Sequence, residues 1–266
     1  MKIPFAAPIV LCALSALMLA GCAGPQIDRT YTAKGQSSRA KFIVLHYTVA
    51  DRNKSITILS EQVVSAHYLV TDDPTPVIYG LVDEARQANH AGVSYWRGYT
   101  NLNASSIGIE IVNRGFTEGP GGRTWYPFPQ NQIDQVIKLV KDIAARHNIP
   151  PENVIGHADV APTRKQDPGP LFPWKQLIDA GLALGPDPAR YEAALPVFEA
   201  SLPDVAWFQQ KLAAFGYSVP QSGQLDDGTR AALVVFQMHF RPVNMEGNPD
   251  AETAALLDAL VKPQAP

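Results

Sequence analysis

Cysteine is nearly absent from this sequence. Only Cys12 and Cys22 occur in 266 residues, both near the N-terminus, so no disulfide framework stabilises the fold. Excess charge is also missing. With 22 Lys+Arg against 25 Asp+Glu, the formal net charge is -3, which gives no electrostatic reason to expect nucleic acid as a partner. The apolar run at residues 9–20 is too short, and too close to the terminus, to read as a membrane-spanning helix. What remains is an ordinary globular composition, 46% hydrophobic, with a length suited to one large domain and one small one.

The positively charged start, Met1-Lys2, and the apolar run after it read as an export signal over residues 1–21. The run ends Leu19-Ala20-Gly21-Cys22, which resembles the bacterial lipobox. That resemblance implies cleavage before Cys22 and acylation of Cys22, with enough acyl chains for a stable membrane anchor. Ala23 rather than aspartate follows, which by the same resemblance implies a periplasm-facing lipoprotein of the outer membrane. Residues 22–40 are polar and without hydrophobic periodicity, so they read as a lipidated tether.

Strand and helix patterns alternate through residues 41–183. Residues 41–48, rich in β-branched and aromatic side chains, read as a buried strand. A helix is expected at 56–64, and strands at 65–70, 77–79 and 106–112. In the last of these Ile107, Ile109 and Ile111 share one face, which turns Glu110 to the other with Gly108. Ile133, Val136, Ile137, Val140 and Ile143 fall at helical spacing within 130–147, which Pro150 and Pro151 stop. A short strand at 154–157 and a helix at 174–180 complete the pattern. The expected fold is α/β, a central mixed β-sheet flanked by helices. Residues 184–202, with three prolines, read as a linker containing some helix, and residues 203–263 as a small all-α three-helix domain.

The chemistry concentrates in one loop, Gly156-His157-Ala-Asp159-Val-Ala-Pro-Thr-Arg164-Lys165-Gln-Asp167-Pro-Gly169. His157 with a nearby carboxylate can ligate a metal. Both Asp159 and Asp167 are in range, and Asp159, two residues from His157, reads as a carboxylate that steadies the loop. His46, at the end of the first strand, would by itself more often be a hydrogen-bonded structural histidine. The loop resembles the signature of the zinc-dependent N-acetylmuramoyl-L-alanine amidases, the family of phage lysozyme-like amidases and peptidoglycan recognition proteins. The strand Ser106-Ile-Gly-Ile-Glu110 and the placement of His46 fit the same family, over roughly residues 40–180.

The resemblance implies one Zn2+ per chain, held by His46, His157 and Asp167. Three such ligands leave a fourth position for water. It further implies Glu110 as general base and Lys165 as the cation that stabilises the oxyanion. Some branches of the family place a tyrosine where this chain has Ala66, which leaves the base role to Glu110. His90, in a segment that lines the cleft in this family, and Trp96 and Asn113 are candidate substrate contacts. His67 reads as a core residue or one behind the ligands, His147 as a helix-end residue, and His239 belongs to the small domain.

In that domain, Gln209-x-x-Leu212-x-x-x-Gly216-Tyr217 and Thr229-x-x-Ala232-x-x-x-Phe236-Gln237 resemble the peptidoglycan-binding three-helix domain. The function these resemblances imply is hydrolysis of the amide between N-acetylmuramic acid and L-alanine, with peptidoglycan or muropeptides as partner and substrate. The competing reading is a non-catalytic recognition lipoprotein on the same fold. Such members typically lack a ligand, most often the last, and Asp167 is present here.

Overall fold

The structure, a computed structural model, describes residues 24–261. The expected export signal, the lipobox and Cys22 lie outside the described residues. Residues 24–36 belong to a unit that ends at Gln36, contain neither helix nor strand, and are exposed. Everything from Ser37 onward falls in a second unit. Among the described residues no helix is long and apolar enough to cross a membrane.

The second unit is built on a mixed five-stranded sheet ordered β3-β2-β6-β1-β9, from β1 (Phe42–Tyr47), β2 (Tyr68–Val70), β3 (Ile78–Gly80), β6 (Ser106–Ile111) and β9 (Val154–Gly156). Parallel pairing joins β2, β6, β1 and β9, and β3 runs antiparallel to β2. One face carries Ile43, Leu45, Ile107 and Ile109 into a core with Ile133, Val136, Val140 and Ile143. Those last four form the apolar stripe of α2 (Gln130–His147), the helix the spacing predicts. Asn148 ends it in the left-handed conformation, at φ 55.

Several boundaries differ from expectation for identifiable reasons. The helix expected at 56–64 is α1 (Arg52–Glu61), because the Asp51 side chain accepts from the Lys54 amide and starts it early. Two hairpins escaped sequence reading, β4 (Tyr95–Trp96) with β5 (Tyr99–Thr100) and β7 (Phe116–Gly119) with β8 (Gly122–Trp125). Two- and four-residue strands are too short to display alternation. α3 (His157–Val160) and α4 (Trp174–Asp179) follow β9.

Residues 184–202 contain the helix expected around Tyr191 to Leu195, and more of it. Most of this expected linker is α5 (Pro188–Ala200). Asp187 caps it by accepting from the Ala189 and Arg190 amides, and Pro188 occupies a first-turn position that needs no donor. The helix docks on α8 (Ala251–Leu260), where Arg190 donates to the carbonyls of Asp258, Ala259 and Val261. The other two C-terminal helices are α6 (Val205–Phe215) and α7 (Asp227–Phe240). α6, α7 and α8 each start on an aspartate, Asp204, Asp226 and Asp250 respectively, accepting from the amide three residues on.

The second face of the sheet is not separate from these helices. Phe42, Val44 and Ile155 share one buried cluster with Trp96, Phe208 and Leu257. The small domain expected from sequence therefore packs its core against this face of the sheet, while the isoleucine face keeps a core of its own with α2.

Candidate metal and catalytic site

β1 and β6 run parallel with His46 opposite Glu110, so both side chains leave the sheet on the face away from the isoleucines. Gly108 lies two residues earlier on that face. A Cβ there would meet the His90 ring at 2.4 to 2.7 Å, so only glycine lets His90 lie across the strand beside His46. On the other side of β1, β9 leads directly into α3, whose first residue is His157. The loop beyond α3 folds back, and the Ala158 amide donates to the Asp167 carbonyl at 2.8 Å.

Three ligand atoms meet there. His46 Nδ1 lies 2.9 Å from His157 Nδ1, and each lies 3.0 Å from Asp167 Oδ2. All three residues are buried. The outer nitrogens show why the inner ones are free. His157 Nε2 donates to the Ala91 carbonyl at 3.1 Å. His46 Nε2 donates to His90 Nδ1 at 3.0 Å, His90 Nε2 to Ser106 Oγ at 3.0 Å, and Ser106 Oγ to the Leu102 carbonyl at 2.5 Å. A chain that ends at a carbonyl assigns every proton along it, and it turns the lone pairs of both Nδ1 atoms toward Asp167. Zinc bonds of about 2.0–2.1 Å in tetrahedral geometry separate ligand atoms by about 3.3 Å. The donor set fits such an ion after movements of a few tenths of an ångström.

The electrostatics agree with that fit. Burial, then the neighbouring His157, pushes His46 down to about 4, so its imidazole is neutral near pH 7. Burial alone would raise Asp167, but positive charge at the His157 and His46 position outweighs it and holds the carboxyl below its ordinary range, the direction in which a bound cation between neutral histidines would also act. Glu110 is pushed up to about 8, first by burial and then by the charge of Asp167, against the pull of Lys165. Its Oε1 is 4.0 Å from His46 Nδ1, and its Oε2 is buried without a hydrogen-bond partner. These groups line a cavity of about 200 Å³ with apolar walls from Val49, Ile58, Leu59 and Val64, and with half-buried Lys165 also lining it.

The other candidates separate clearly. Asp159 is not in the ligand cluster; its Oδ2 accepts from the Gly156 amide at 2.8 Å. His90 lines the cavity, but His46 and Ser106 occupy both of its nitrogens, so it orients His46 and is not free to bind substrate. Trp96 is corrected outright. At 1% exposure it is packed against Phe215 and Tyr217, outside the cavity. Asn113 is corrected too. Its amide donates to the Tyr126 and Pro127 carbonyls and accepts from the Gly115 amide, which holds a turn. His147 pairs with Glu84.

Sequence reading missed Arg164, which donates to the Ala91 and Val93 carbonyls at 2.8 Å and ties the ligand loop to the segment carrying His90. It also missed the apolar wall, whose residues carry no motif. Arg164 stood inside the quoted loop motif, but only the fold reveals its partners.

His67, fully buried beside β6, yields a pH prediction. Its Nδ1 accepts from the Gly108 amide at 2.9 Å, and protonation there would break that bond. Burial pushes its pKa down to about 4 from 6.5. The unfolded chain therefore takes up this proton first, and stability is lost as pH falls from about 6.5 through about 4. Thermal melting of the metal-free chain should show Tm falling over that window. His67→Gln, which can still accept from Gly108, should remove part of the fall, the rest belonging to His46, which burial also holds at about 4.

Comparison with known proteins gives the family of the chain. The family described as N-acetylmuramoyl-L-alanine amidase matches residues 36–170, and the peptidoglycan binding domain family matches residues 201–257. The Escherichia coli N-acetylmuramoyl-L-alanine amidase AmiD is 43% identical over 263 residues, covering 93% of this chain and 95% of the relative. A solved structure of AmiD in complex with the substrate anhydro-N-acetylmuramic acid-L-Ala-D-gamma-Glu-L-Lys superposes with a TM-score of 0.80 at 42% identity, over 89% of this chain and 94% of that one. AmpDh3 from Pseudomonas aeruginosa, in complex with anhydromuramic pentapeptide, gives a TM-score of 0.81 at 40% identity, over 88% of this chain and 97% of that one.

Proposed function

The chain belongs to the N-acetylmuramoyl-L-alanine amidase family and is an enzyme of it; on that premise we propose that His46, His157 and Asp167 hold one zinc ion, at which the chain cuts the amide between N-acetylmuramic acid and L-alanine. The carrying observation is the convergence of three buried ligand atoms beside the unpartnered Oε2 of Glu110. When bound, zinc supplies a Lewis acid that polarises the scissile carbonyl and acidifies water. Glu110 takes the proton from the attacking water and returns it to the departing L-alanine nitrogen as the C–N bond breaks. Lys165 donates to the carbonyl oxygen as negative charge builds there. Val49, Ile58, Leu59 and Val64 give the substrate an apolar wall and limit bulk water at the reacting carbon.

The substrate class is peptidoglycan and its muropeptides, supported by the C-terminal match and by the anhydro-muropeptide ligands of the two solved relatives. The lipobox and Ala23 support an anchor at Cys22 in the outer membrane, facing the wall. A non-catalytic recognition role is disfavoured because no ligand of the cluster is missing.

Purified protein should contain about one zinc per chain, lose muropeptide cleavage on chelation, and regain it with added zinc. Full cleavage by metal-free protein, followed by mass spectrometry of the released peptide, would overturn the zinc reading. For the anchor, Cys22→Ser should move the protein from the membrane to the soluble fraction.

A further inference from the structure

Asp159 lies outside the ligand cluster, yet it is 2% exposed and carries more hydrogen bonds than loop steadying requires. A buried carboxylate is costly unless donors satisfy it. Gly156, immediately before His157, supplies one through its amide, at 2.8 Å to Oδ2. The other two come from the C-terminal helices. Tyr217, just after α6, donates its hydroxyl to Oδ1 at 2.7 Å, and His239 on α7 donates from Nδ1 to Oδ2 at 3.1 Å.

Both donors are rigidly held. The His239 ring is sandwiched between Trp174, at 3.8 Å, and Phe240, at 4.2 Å. Burial, with the charge of Asp159, keeps the Tyr217 phenol well above its ordinary pKa, so it remains a donor. Gly216 precedes Tyr217 at φ +151, and a Cβ there would meet Trp96 at 2.9 Å. From the other side, Arg97 donates its amide to the Gly216 carbonyl and its Nε to the Phe215 carbonyl, both at 3.0 Å.

We propose that the C-terminal helices form part of the metal site, with Tyr217 and His239 acting as positioning residues that hold His157 in ligand geometry through Asp159. The Gly156 amide sits one residue before the ligand, and Asp159 lies two residues after it in the same turn of helix. Fixing that carboxylate fixes the direction in which the His157 imidazole leaves the backbone. A region matched to peptidoglycan binding thus has a second task, to set metal affinity. The proposal rests on the zinc reading given above.

The test uses the full chain and zinc titration against a chromogenic chelator. Tyr217→Phe removes one hydroxyl, and His239→Phe keeps an aromatic ring in the stack while removing the donor. Each should weaken zinc binding by about tenfold or more, with kcat restored at saturating zinc. Phe215→Leu serves as the control, since it loosens the same contact without touching Asp159, and it should lower Tm while leaving zinc affinity near wild type. The proposal is overturned if Tyr217→Phe and His239→Phe both bind zinc as wild type does. It is equally overturned if Phe215→Leu weakens binding as much as they do, because the effect would then be general loosening. Wild-type chain that takes up no zinc would reject the underlying zinc reading instead, which the same titration reports directly.

Discussion

Replacing Glu110 with glutamine is expected to lower kcat on muropeptides by about 10²–10⁴-fold while zinc content stays at the wild-type level. The substitution preserves shape and removes only the ability to accept and release a proton. Glu110 Oε1 lies 4.0 Å from His46 Nδ1 and is outside the ligand cluster, so the metal loses no ligand. Its Oε2 has no partner to lose, and a carboxyl at about 8 is already mostly protonated near pH 7, so the fold should tolerate the change and Tm should stay level. The pH profile provides the second readout. The carboxyl sits at about 8 through burial and the charge of Asp167, and a bound cation nearby would lower it. The base works ionised, so kcat/KM should rise with pH through this ionisation and level off above it. That acid limb should vanish in Glu110→Gln. Unchanged turnover, or lost zinc together with lost turnover, would remove Glu110 from the base role.

The sequence carried the sheet face of this site well. Alternation of Ile107, Ile109 and Ile111 put Glu110 on the opposite face, and parallel pairing then placed it beside His46. Choosing Asp167 over Asp159 depended on the loop resembling a known signature, since spacing from His157 could not decide it. The structure separates the two physically, with Asp167 turned to the histidines and Asp159 turned to Tyr217 and His239. What sequence could not reveal are contacts between distant segments. His90 reads as a substrate contact until Gly108 is seen to make room for its ring beside His46. Arg164 has no assignable role in the sequence until the carbonyls of Ala91 and Val93 appear within its reach. Three prolines made residues 184–202 look like a linker, although Asp187-Pro188 is also a good helix start, and only docking on α8 decides between those readings.

Trp96→Ala should be the most damaging substitution for stability, costing about 3–5 kcal/mol and lowering Tm by about 10 °C at the usual few degrees per kcal/mol for a chain of this size. The indole is 1% exposed, and its ring meets Phe215 at 5.6 Å and Tyr217 at 5.1 Å, both edge-on. It is therefore the wedge between the sheet and the C-terminal helices, and the cavity it would leave opens in the one cluster that contains Phe42, Val44 and Phe208 together. Because that cluster is shared, calorimetry on the wild-type chain should show a single cooperative transition that includes the C-terminal helices. Trp96→Ala should either shift that transition as a whole or split it, with the helices melting first. Independent folding of the two parts makes the opposite prediction: two wild-type transitions, of which Trp96→Ala moves only the one belonging to the sheet. The sequence offers Trp96 as a candidate substrate contact. An intact KM in a variant with a much lower Tm would separate the packing role from the binding role.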